Sequence, residues 1–279
     1  MYYLKILILA IVQGVAELLP VSSSAHVIVA EKLMGLDPTA PDMTLLLVML
    51  HTGTMFAVIF YFWHAWRAAF FSSWVVFKET VFNLVLATGI TGVVGLSLQW
   101  LIKHFYAPDP AQFEIEQLFG NLQLVATGLA AAGLVIIGSS AIPDLAGKLT
   151  LGRSAIIGAV QGLCLPFRGF SRSGATISAG LMTGVSRKMS EEFSFALAVI
   201  LTPPVILKEV LRLFSHNATA AEPVHLGAML LPGLVGMVFS FVAGLFALRW
   251  LSAWLGSNKW HFFGYYCLAA ALFCFWLSL

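Results

Sequence analysis

The chain has 279 residues, of which 59% are hydrophobic and only 10% carry a charge, and its mean hydropathy is +0.91. Soluble domains carry roughly 25% charged residues, so the composition excludes an ordinary soluble domain and predicts an integral membrane protein. The formal net charge of +2 is too small to indicate a nucleic-acid partner.

The first 36 residues are apolar but interrupted. The run Met1–Leu19 meets the stretch Leu19-Pro-Val-Ser-Ser-Ser-Ala-His26, and Glu17 lies just before it. No small-residue cleavage site follows the first run, so we expect it to belong to the fold rather than to be a signal peptide. Each half is too short to cross a hydrocarbon core of about 30 Å, which predicts a re-entrant helix hairpin over residues 1–36.

Six further segments are apolar and long enough to cross a membrane. They lie at about 43–63, 83–102, 121–140, 193–211, 226–249 and 261–278. Residues 154–185 form a second interrupted region and predict a second re-entrant hairpin. The predicted fold is therefore an all-α polytopic membrane protein with about six transmembrane helices and two re-entrant hairpins.

The two interrupted regions resemble each other. Val-Gln-Gly occurs at 12–14 and again at 160–162, and Leu-Pro follows at 19–20 and at 165–166. Interrupted segments at corresponding places in two halves are typical of an inverted repeat with its binding site where the breaks meet. We expect one membrane domain over 1–279, with repeats at about 1–120 and 121–279.

The first break brings together side chains that suit an anionic ligand. Gln13 and Glu17 are four residues apart and share a helix face. Pro20 ends that helix, Ser22 or Ser23 can cap the next one, and its free N–H groups attract phosphate. His26 follows one turn later. These residues could be only caps and a structural ion pair, but an ionisable side chain at membrane depth indicates function by default.

The second break combines basic and hydroxyl side chains with glycines, which allow tight turns. Its candidate substrate-binding residues are Arg168, Gly169, Ser171, Arg172, Ser173 and Thr176. An arginine beside serines at a helix start, near Gly174, supplies the fork of charge and the fixed donors that a phosphate needs. A structural ion pair between Arg172 and Glu17 is an alternative compatible with function, and Arg168 could instead be a loop residue reaching the membrane interface.

Two weaker features complete the analysis. His51, in Leu-His-Thr-Gly-Thr, lies in a span and could line the cavity, but it is interpreted as a neutral, packed histidine rather than a catalytic one. Basic residues are more frequent on one side of the predicted topology, which is therefore expected to be cytoplasmic, with both termini outside. The residues on that side are Arg67, Lys78, Lys148, Arg153, Arg187, Lys188, Arg249 and Lys259.

With these motifs in place, the sequence resembles the undecaprenyl-pyrophosphate phosphatase family, also known as bacitracin-resistance proteins. The first motif is Gln13-Gly-Val-Ala-Glu17-Leu-Leu-Pro-Val-Ser-Ser-Ser-Ala-His26, and the second is Gly169-Phe-Ser-Arg-Ser-Gly-Ala-Thr176. Both occur in order and in apolar context, and the resemblance covers essentially the whole chain.

The resemblance implies an enzyme that hydrolyses a C55 polyprenyl diphosphate to the monophosphate. This reaction recycles the lipid carrier of cell-wall synthesis at the outer face of the bacterial cytoplasmic membrane and confers bacitracin resistance. The family's catalytic residues map onto Glu17, Ser23, His26 and Arg172, with Gln13, Ser173 and Thr176 nearby.

Two departures from the family pattern bear on its implied cofactor, a divalent cation (Mg²⁺ or Ca²⁺) with Glu17 as ligand. Gln13 stands where many members have Glu, which removes one ligand or base. Arg168 stands where the family usually has proline, as an extra diphosphate contact or a replaced turn residue. The expected partners are the lipid substrate and membrane lipids, and a homodimer is left open.

Alternatives remain at two levels. The nucleophile could be Ser23 with His26 as base, His26 itself, or a water activated by Glu17 and His26. The chain could also be a polyprenyl-phosphate transporter, because carriers likewise use broken helices and anion sites. A carrier needs anion donors alone, whereas hydrolysis also needs a base and a nucleophile. The sequence supplies both sets and favours the enzyme over a carrier, and over a merely structural scaffold.

Overall fold

The structure is a computed structural model that describes residues 2–36, 41–105, 121–167, 169–219 and 226–278. Across these ranges the regular structure is helical, apart from one isolated β-bridge between Gly147 and Val185. The described helices are α1 (Tyr2–Leu18), α2 (Ser23–Leu33), α3 (Pro41–Phe70), α4 (Trp74–Phe105), α5 (Leu122–Ser140), α6 (Leu151–Cys164), α7 (Arg172–Met182), α8 (Arg187–Thr219), α9 (Leu226–Gly256) and α10 (His261–Trp276).

Five of these helices, α3, α4, α5, α8 and α9, are long and apolar enough to cross a membrane. Helices are the expected solution because lipid cannot satisfy exposed backbone N–H and C=O groups. The predicted all-α, multi-pass membrane class is thereby confirmed. The sixth predicted span, 261–278, corresponds to α10, which has 16 residues and rises about 24 Å.

Both predicted interruptions are present. The first separates α1 from α2, and the second separates α6 from α7. Helices α2 and α7 have 11 residues each and rise only about 16 Å, half of a typical hydrocarbon core. Each is followed by a glycine with positive φ, Gly35 at 61° and Gly184 at 83°, which allows the chain to leave the helix in a left-handed turn. Re-entry of these hairpins from one membrane face stays a prediction.

The described residues form two compact units that interleave along the chain. The first contains Met1–Leu18, Ser23–Trp63 and Ala198–Leu251. Its core is an apolar cluster from α1, α2 and α3 that includes Leu9, Val27 and Leu50. In water, burial of such a side chain contributes about 1.5 to 3 kcal/mol to stability. Inside lipid this contribution is absent, and close packing between the helices stabilises the fold instead.

Helices α1 and α9 approach closely within this first unit. A Cβ on Gly14 would lie 2.6 Å from the carbonyl oxygen of Ser240 and 2.7 Å from the Cβ of Ala243. The Ser240 hydroxyl also donates to the carbonyl of Leu50 at 2.9 Å. Small residues and an interhelical hydrogen bond therefore hold α1, α3 and α9 together, as is usual between helices in lipid.

The second unit contains Leu19–Ser22, His64–Leu197 and Ser252–Leu279. Here α6 packs on α4 by the same means: Gly158 lies against the backbone of Ala87. Thr91 donates to the carbonyl of Gly158 at 2.9 Å and accepts from the Gln161 side chain at 3.1 Å. A Cβ on Gly133 of α5 would lie 2.8 Å from the carbonyl of Gly264 of α10, so this pair is also close.

The packing repeats between the two halves of the sequence. In the first unit α1 of the first half packs on α9 of the second half, and in the second unit α6 of the second half packs on α4 of the first half. Thr91 and Ser240 each stand four residues before a glycine, Gly95 and Gly244, and those glycines receive Leu165 and Leu18 respectively. The repeat bounds 1–120 and 121–279, and the inverted orientation of the halves, stay predictions.

Candidate active site

The first break is a tight turn between α1 and α2. Helix α1 ends at Leu18, before Pro20, and the Val21 amide donates to the Leu19 carbonyl at 2.8 Å. Ser22 has a φ of 66°, the left-handed conformation that a residue other than glycine rarely adopts. Ser23 then opens α2, so the sharp reversal brings its hydroxyl back to the end of α1.

Glu17 is the centre of a polar cluster in the first unit. Its Oε2 accepts a hydrogen bond from the Ser23 hydroxyl at 2.6 Å and one from the Gln13 side-chain amide at 3.2 Å. The i, i+4 spacing of Gln13 and Glu17 thus gives the predicted shared face. Gln13 is buried, whereas the Glu17 side chain is 19% exposed, so the carboxylate remains accessible to a ligand while held by neighbours.

His51 belongs to this cluster, which the sequence did not predict. Its Nε2 lies 3.7 Å from Glu17 Oε2, and its Nδ1 lies 2.8 Å from the carbonyl oxygen of Leu47. Of the two interpretations of His51, a cavity-lining histidine and a packed one, this contact favours the first. A signal was available, since an ionisable side chain inside a predicted span indicates function by default.

Ser22 and His26 flank Ser23 on the second side of the turn. Ser22 is buried, and His26 is half-buried one turn into α2. The predicted roles of both residues stay predictions. The Ser23 hydroxyl donates to the Glu17 carboxylate at 2.6 Å, which makes Glu17 a further candidate for its base, and the choice among the predicted nucleophiles stays a prediction.

The second break ends in a capped helix start. The Ser171 hydroxyl accepts from the Gly174 amide at 3.3 Å and caps α7, which begins at Arg172 rather than near Gly174. Gly169 has a φ of 96°, and a Cβ there would collide with the carbonyl of Val125, so only glycine fits this close approach. Arg168 lies outside the residues that the structure describes.

The other hydroxyls of this motif are buried and engaged. Thr176 donates to the carbonyl of Arg172 at 2.8 Å and shares a 2.6 Å hydrogen bond with Ser194. Ser173 donates to the carbonyl of Leu19 at 3.3 Å, and both residues belong to the second unit. These contacts fix the start of α7 on the turn of the first motif. Substrate contacts by Ser173 and Thr176 stay predictions.

Arg172 supplies the positive charge at this helix start. It is the first residue of α7 and is half-buried. The exposed N–H groups and the dipole of a helix N-terminus already favour an anion, and a guanidinium adds a fork of donors that matches two phosphate oxygens. The second motif can therefore hold a phosphate group.

The donor set does not form a cation site of its own. Among the described residues, no group of three or more His, Cys, Asp or Glu side chains could hold a metal ion. At Glu17, one carboxylate oxygen already accepts from Gln13 and Ser23, whereas Mg²⁺ and Ca²⁺ prefer several oxygen ligands. A divalent cation with Glu17 as ligand, which the resemblance implies, therefore stays a prediction that would need oxygen ligands from the substrate phosphates.

The fold and these two motifs define a class: helical multi-pass membrane proteins whose interrupted helices carry ionisable and hydroxyl side chains. A model of the family described as bacitracin resistance protein BacA matches residues 6–273. The chain belongs to this family.

Named relatives agree over the full length. The chain is 61% identical over 269 residues to undecaprenyl-diphosphatase 2 of Acinetobacter baylyi, covering 95% of this chain and 94% of the relative. It is 30% identical over 283 residues to undecaprenyl-diphosphatase of Rhodopirellula baltica, covering 99% and 98%. Undecaprenyl-diphosphatase 2 of Burkholderia thailandensis is 32% identical over 281 residues, covering 95% and 93%.

Proposed function

We propose that this chain hydrolyses undecaprenyl diphosphate to undecaprenyl phosphate and inorganic phosphate, which recycles the lipid carrier of cell-wall polymers and confers bacitracin resistance. The observation that carries the proposal is the 2.6 Å hydrogen bond from Ser23 to Glu17, inside a motif shared by the resembling family. A hydroxyl held on a carboxylate is a nucleophile beside its base. The names of the full-length relatives support the same substrate.

The two motifs have different roles: the second binds the phosphates, and the first carries out the chemical step. Arg172 and the N–H groups at the start of α7 bind phosphate oxygens and stabilise the negative charge that develops on them, as fixed donors do in phosphoryl transfer. Gly169, Ser171 and Ser22 shape the turns that bring backbone donors to the ligand. Glu17, Ser23 and His26 act on the terminal phosphorus.

The chemistry proceeds in two balanced steps. The Ser23 oxygen attacks the terminal phosphorus and gives its proton to Glu17, while the bond from that phosphorus to the bridging oxygen breaks and undecaprenyl phosphate leaves. Water then attacks the phosphoserine, and the bond from phosphorus to the Ser23 oxygen breaks while Glu17 returns the proton to that oxygen. Inorganic phosphate leaves with the oxygen and both protons of the water. His26, one turn into α2, donates to the phosphoryl oxygens.

The first experiment measures phosphate release from undecaprenyl diphosphate by the purified protein in detergent. Wild type should be active, and Glu17→Ala and Arg172→Ala should each lose roughly a hundredfold or more in kcat. Glu79→Ala and Arg249→Ala, at exposed positions, are the matched controls and should retain activity. A folded wild type that binds the diphosphate without releasing phosphate would favour the transporter hypothesis.

A second experiment addresses the nucleophile. Rapid quenching with substrate labelled in the terminal phosphate should trap a phosphoserine in wild type and none in Ser23→Ala. Retention of a phosphoenzyme in Ser23→Ala, with loss in His26→Ala, would assign the nucleophile to His26 instead.

The location and assembly are part of the proposal. We assign the protein to the bacterial cytoplasmic membrane, with its active site opening to the outer face; the bias of basic residues toward the other side supports this orientation. Mg²⁺ or Ca²⁺ remains a prediction from the resemblance, and no step above passes through it. A homodimer also remains a prediction, which the mass in detergent checks.

A further inference from the structure

His51 lies in the middle of α3 with both ring nitrogens facing acceptors. Nδ1 is 2.8 Å from the carbonyl oxygen of Leu47, one turn earlier, and Nε2 is 3.7 Å from Glu17 Oε2. All three residues belong to the first unit. The His51 side chain is 38% exposed, so it is not filling a dry core.

The Leu47 contact fixes how the ring can act on Glu17. A carbonyl oxygen only accepts hydrogen bonds, so the hydrogen of the neutral ring lies on Nδ1. A lone pair on Nε2 would then face the carboxylate and repel it. The contact is attractive only when Nε2 carries a hydrogen, so His51 acts on Glu17 as a donor.

The consequence concerns the orientation of Glu17. A single oxygen, Oε2, receives Ser23, Gln13 and His51, from three different helical positions. Gln13 and Ser23 donate as neutral groups, and His51 is a further neighbour that the first unit places on this carboxylate. Removing it would withdraw one of the contacts that orient the carboxylate toward the Ser23 hydroxyl.

We infer that His51 is a positioning residue that holds Glu17 Oε2 against the hydroxyl of Ser23. This inference rests on the proposed function, in which Glu17 takes the proton of Ser23. His51 acts through Glu17 rather than by touching the reacting atoms, so it governs the chemical step rather than the binding of the lipid.

Two substitutions separate this role from a structural one, because each retains one nitrogen of the ring. In His51→Asn the side-chain amide nitrogen stands near the place of Nδ1 and can still donate to Leu47. In His51→Gln it stands near the place of Nε2 and can still donate to Glu17. Steady-state phosphate release from undecaprenyl diphosphate is measured for both, beside His64→Asn at an exposed position of the same helix.

The expected result is a split between the two variants. His51→Gln retains kcat within about threefold of wild type, while His51→Asn loses roughly tenfold to a hundredfold in kcat with little change in KM. A loss of this size is usual when a residue that orients a functional side chain is removed. His64→Asn matches wild type. The reverse order, equal losses, or wild-type rates in both variants would each overturn the inference.

A titration with Mg²⁺ or Ca²⁺ tests whether His51 instead binds a metal ion. If His51 bound a metal ion, His51→Gln would raise the Mg²⁺ or Ca²⁺ concentration needed for half-maximal activity by tenfold or more while preserving the maximal rate. That result would overturn the positioning role. The expected result is an unchanged requirement.

Failure of the proposed function is read separately. A wild type that releases no phosphate contradicts the proposed function but not the contact between His51 and Glu17. In that case the unfolding temperatures of Glu17→Gln, His51→Asn and the double variant test whether the two residues are coupled. Coupled residues give effects that do not add, so the double variant should lose less than the sum of the single losses. Strict additivity would overturn the inference.

Discussion

The hydroxyl of Ser173 donates a 3.3 Å hydrogen bond to the main-chain carbonyl of Leu19, 154 residues earlier in the chain. Ser173 lies in the first turn of α7, and Leu19 opens the turn that leads to Ser23. The Cys267 thiol donates to the next carbonyl, that of Pro20, at 3.2 Å. The turn of the first motif is therefore fixed by side chains from two distant segments of the second unit.

This relationship gives the first prediction. Ser173→Ala removes this hydrogen bond, while the Leu19 carbonyl keeps the one from the Val21 amide. The substitution should therefore lower the free energy of unfolding by about 0.5 to 1.5 kcal/mol. Thermal unfolding in detergent measures the change. Ser257→Ala is the control, because that exposed hydroxyl bonds only within its own helix end. Equal stability of the two variants would show that the Ser173 contact contributes nothing.

The second prediction concerns the packing of α1 on α9. In Gly14→Ala the new Cβ would meet the Ser240 carbonyl and the Ala243 Cβ, both under 3 Å away, and such overpacking typically costs about 1 to 3 kcal/mol. Gly92→Ala places the same methyl group in open space inside α4, so its higher helix propensity should leave stability unchanged or raised by up to about 1 kcal/mol. Unfolding temperatures of the two variants and wild type, measured side by side, check that Gly14→Ala is the less stable variant. A lower unfolding temperature in Gly92→Ala alone would contradict the prediction.

The third prediction concerns cation dependence. Gln13→Glu replaces the amide that donates to Glu17 by a second carboxylate one turn away, and two like charges at this distance repel each other unless a cation joins them. Phosphate release by Gln13→Glu should fall at least about tenfold in chelator and recover with added Mg²⁺ or Ca²⁺, while wild type responds less. Gln13→Ala removes the donor without adding charge and should show no such recovery. Identical cation curves for wild type and Gln13→Glu would refute this prediction.

The fourth prediction concerns pH. Glu31 in α2 lies outside the five spans and is buried, and burial raises the pKa of its carboxyl from an ordinary 4.5 to about 7. Between those two pH values the folded chain keeps a proton that the unfolded chain has lost, so the stability contributed by this group falls as pH rises and levels off above 7. The unfolding temperature of Glu31→Gln relative to wild type should therefore increase from pH 4.5 to 7.

The matched control for this experiment is Glu79→Gln, since Glu79 is exposed. Its unfolding temperature should run parallel to that of wild type over the same pH range. Parallel curves for Glu31→Gln as well would mean that burial of Glu31 has no effect on its ionisation.

Hydropathy was sufficient to predict the five long apolar helices, because the requirement for about 20 apolar residues is local and sequential. It overestimated the sixth predicted span, since α10 has 16 residues. The two breaks could also be predicted from the sequence, because the residues that cause them lie at the breaks themselves. Pro20 follows the end of α1, and Ser171 caps α7. Gln13 and Glu17 were paired correctly because helical spacing alone determines that contact.

What the sequence did not predict depends on packing between distant segments. His51 reaches Glu17 because α3 packs on α1 in one particular rotation, and no local pattern specifies that rotation. The hydrogen bond of Ser23 to Glu17 depends on the sharp turn at Ser22, which has a positive φ. A run of three serines does not predict this unusual conformation.

The pairing of α1 with α9 has a consequence for biogenesis. The Gly14–Ser240 contact forms only after the ribosome has added more than two hundred residues to α1, which takes roughly 10 to 45 s at about 5 to 20 residues per second. During that interval the face of α1 around Gly14 enters the bilayer without the helix that will pack on it. Insertion factors that shelter such a helix until late in translation should therefore set the yield of this protein, and a chain truncated before α9 should be a substrate for membrane proteases.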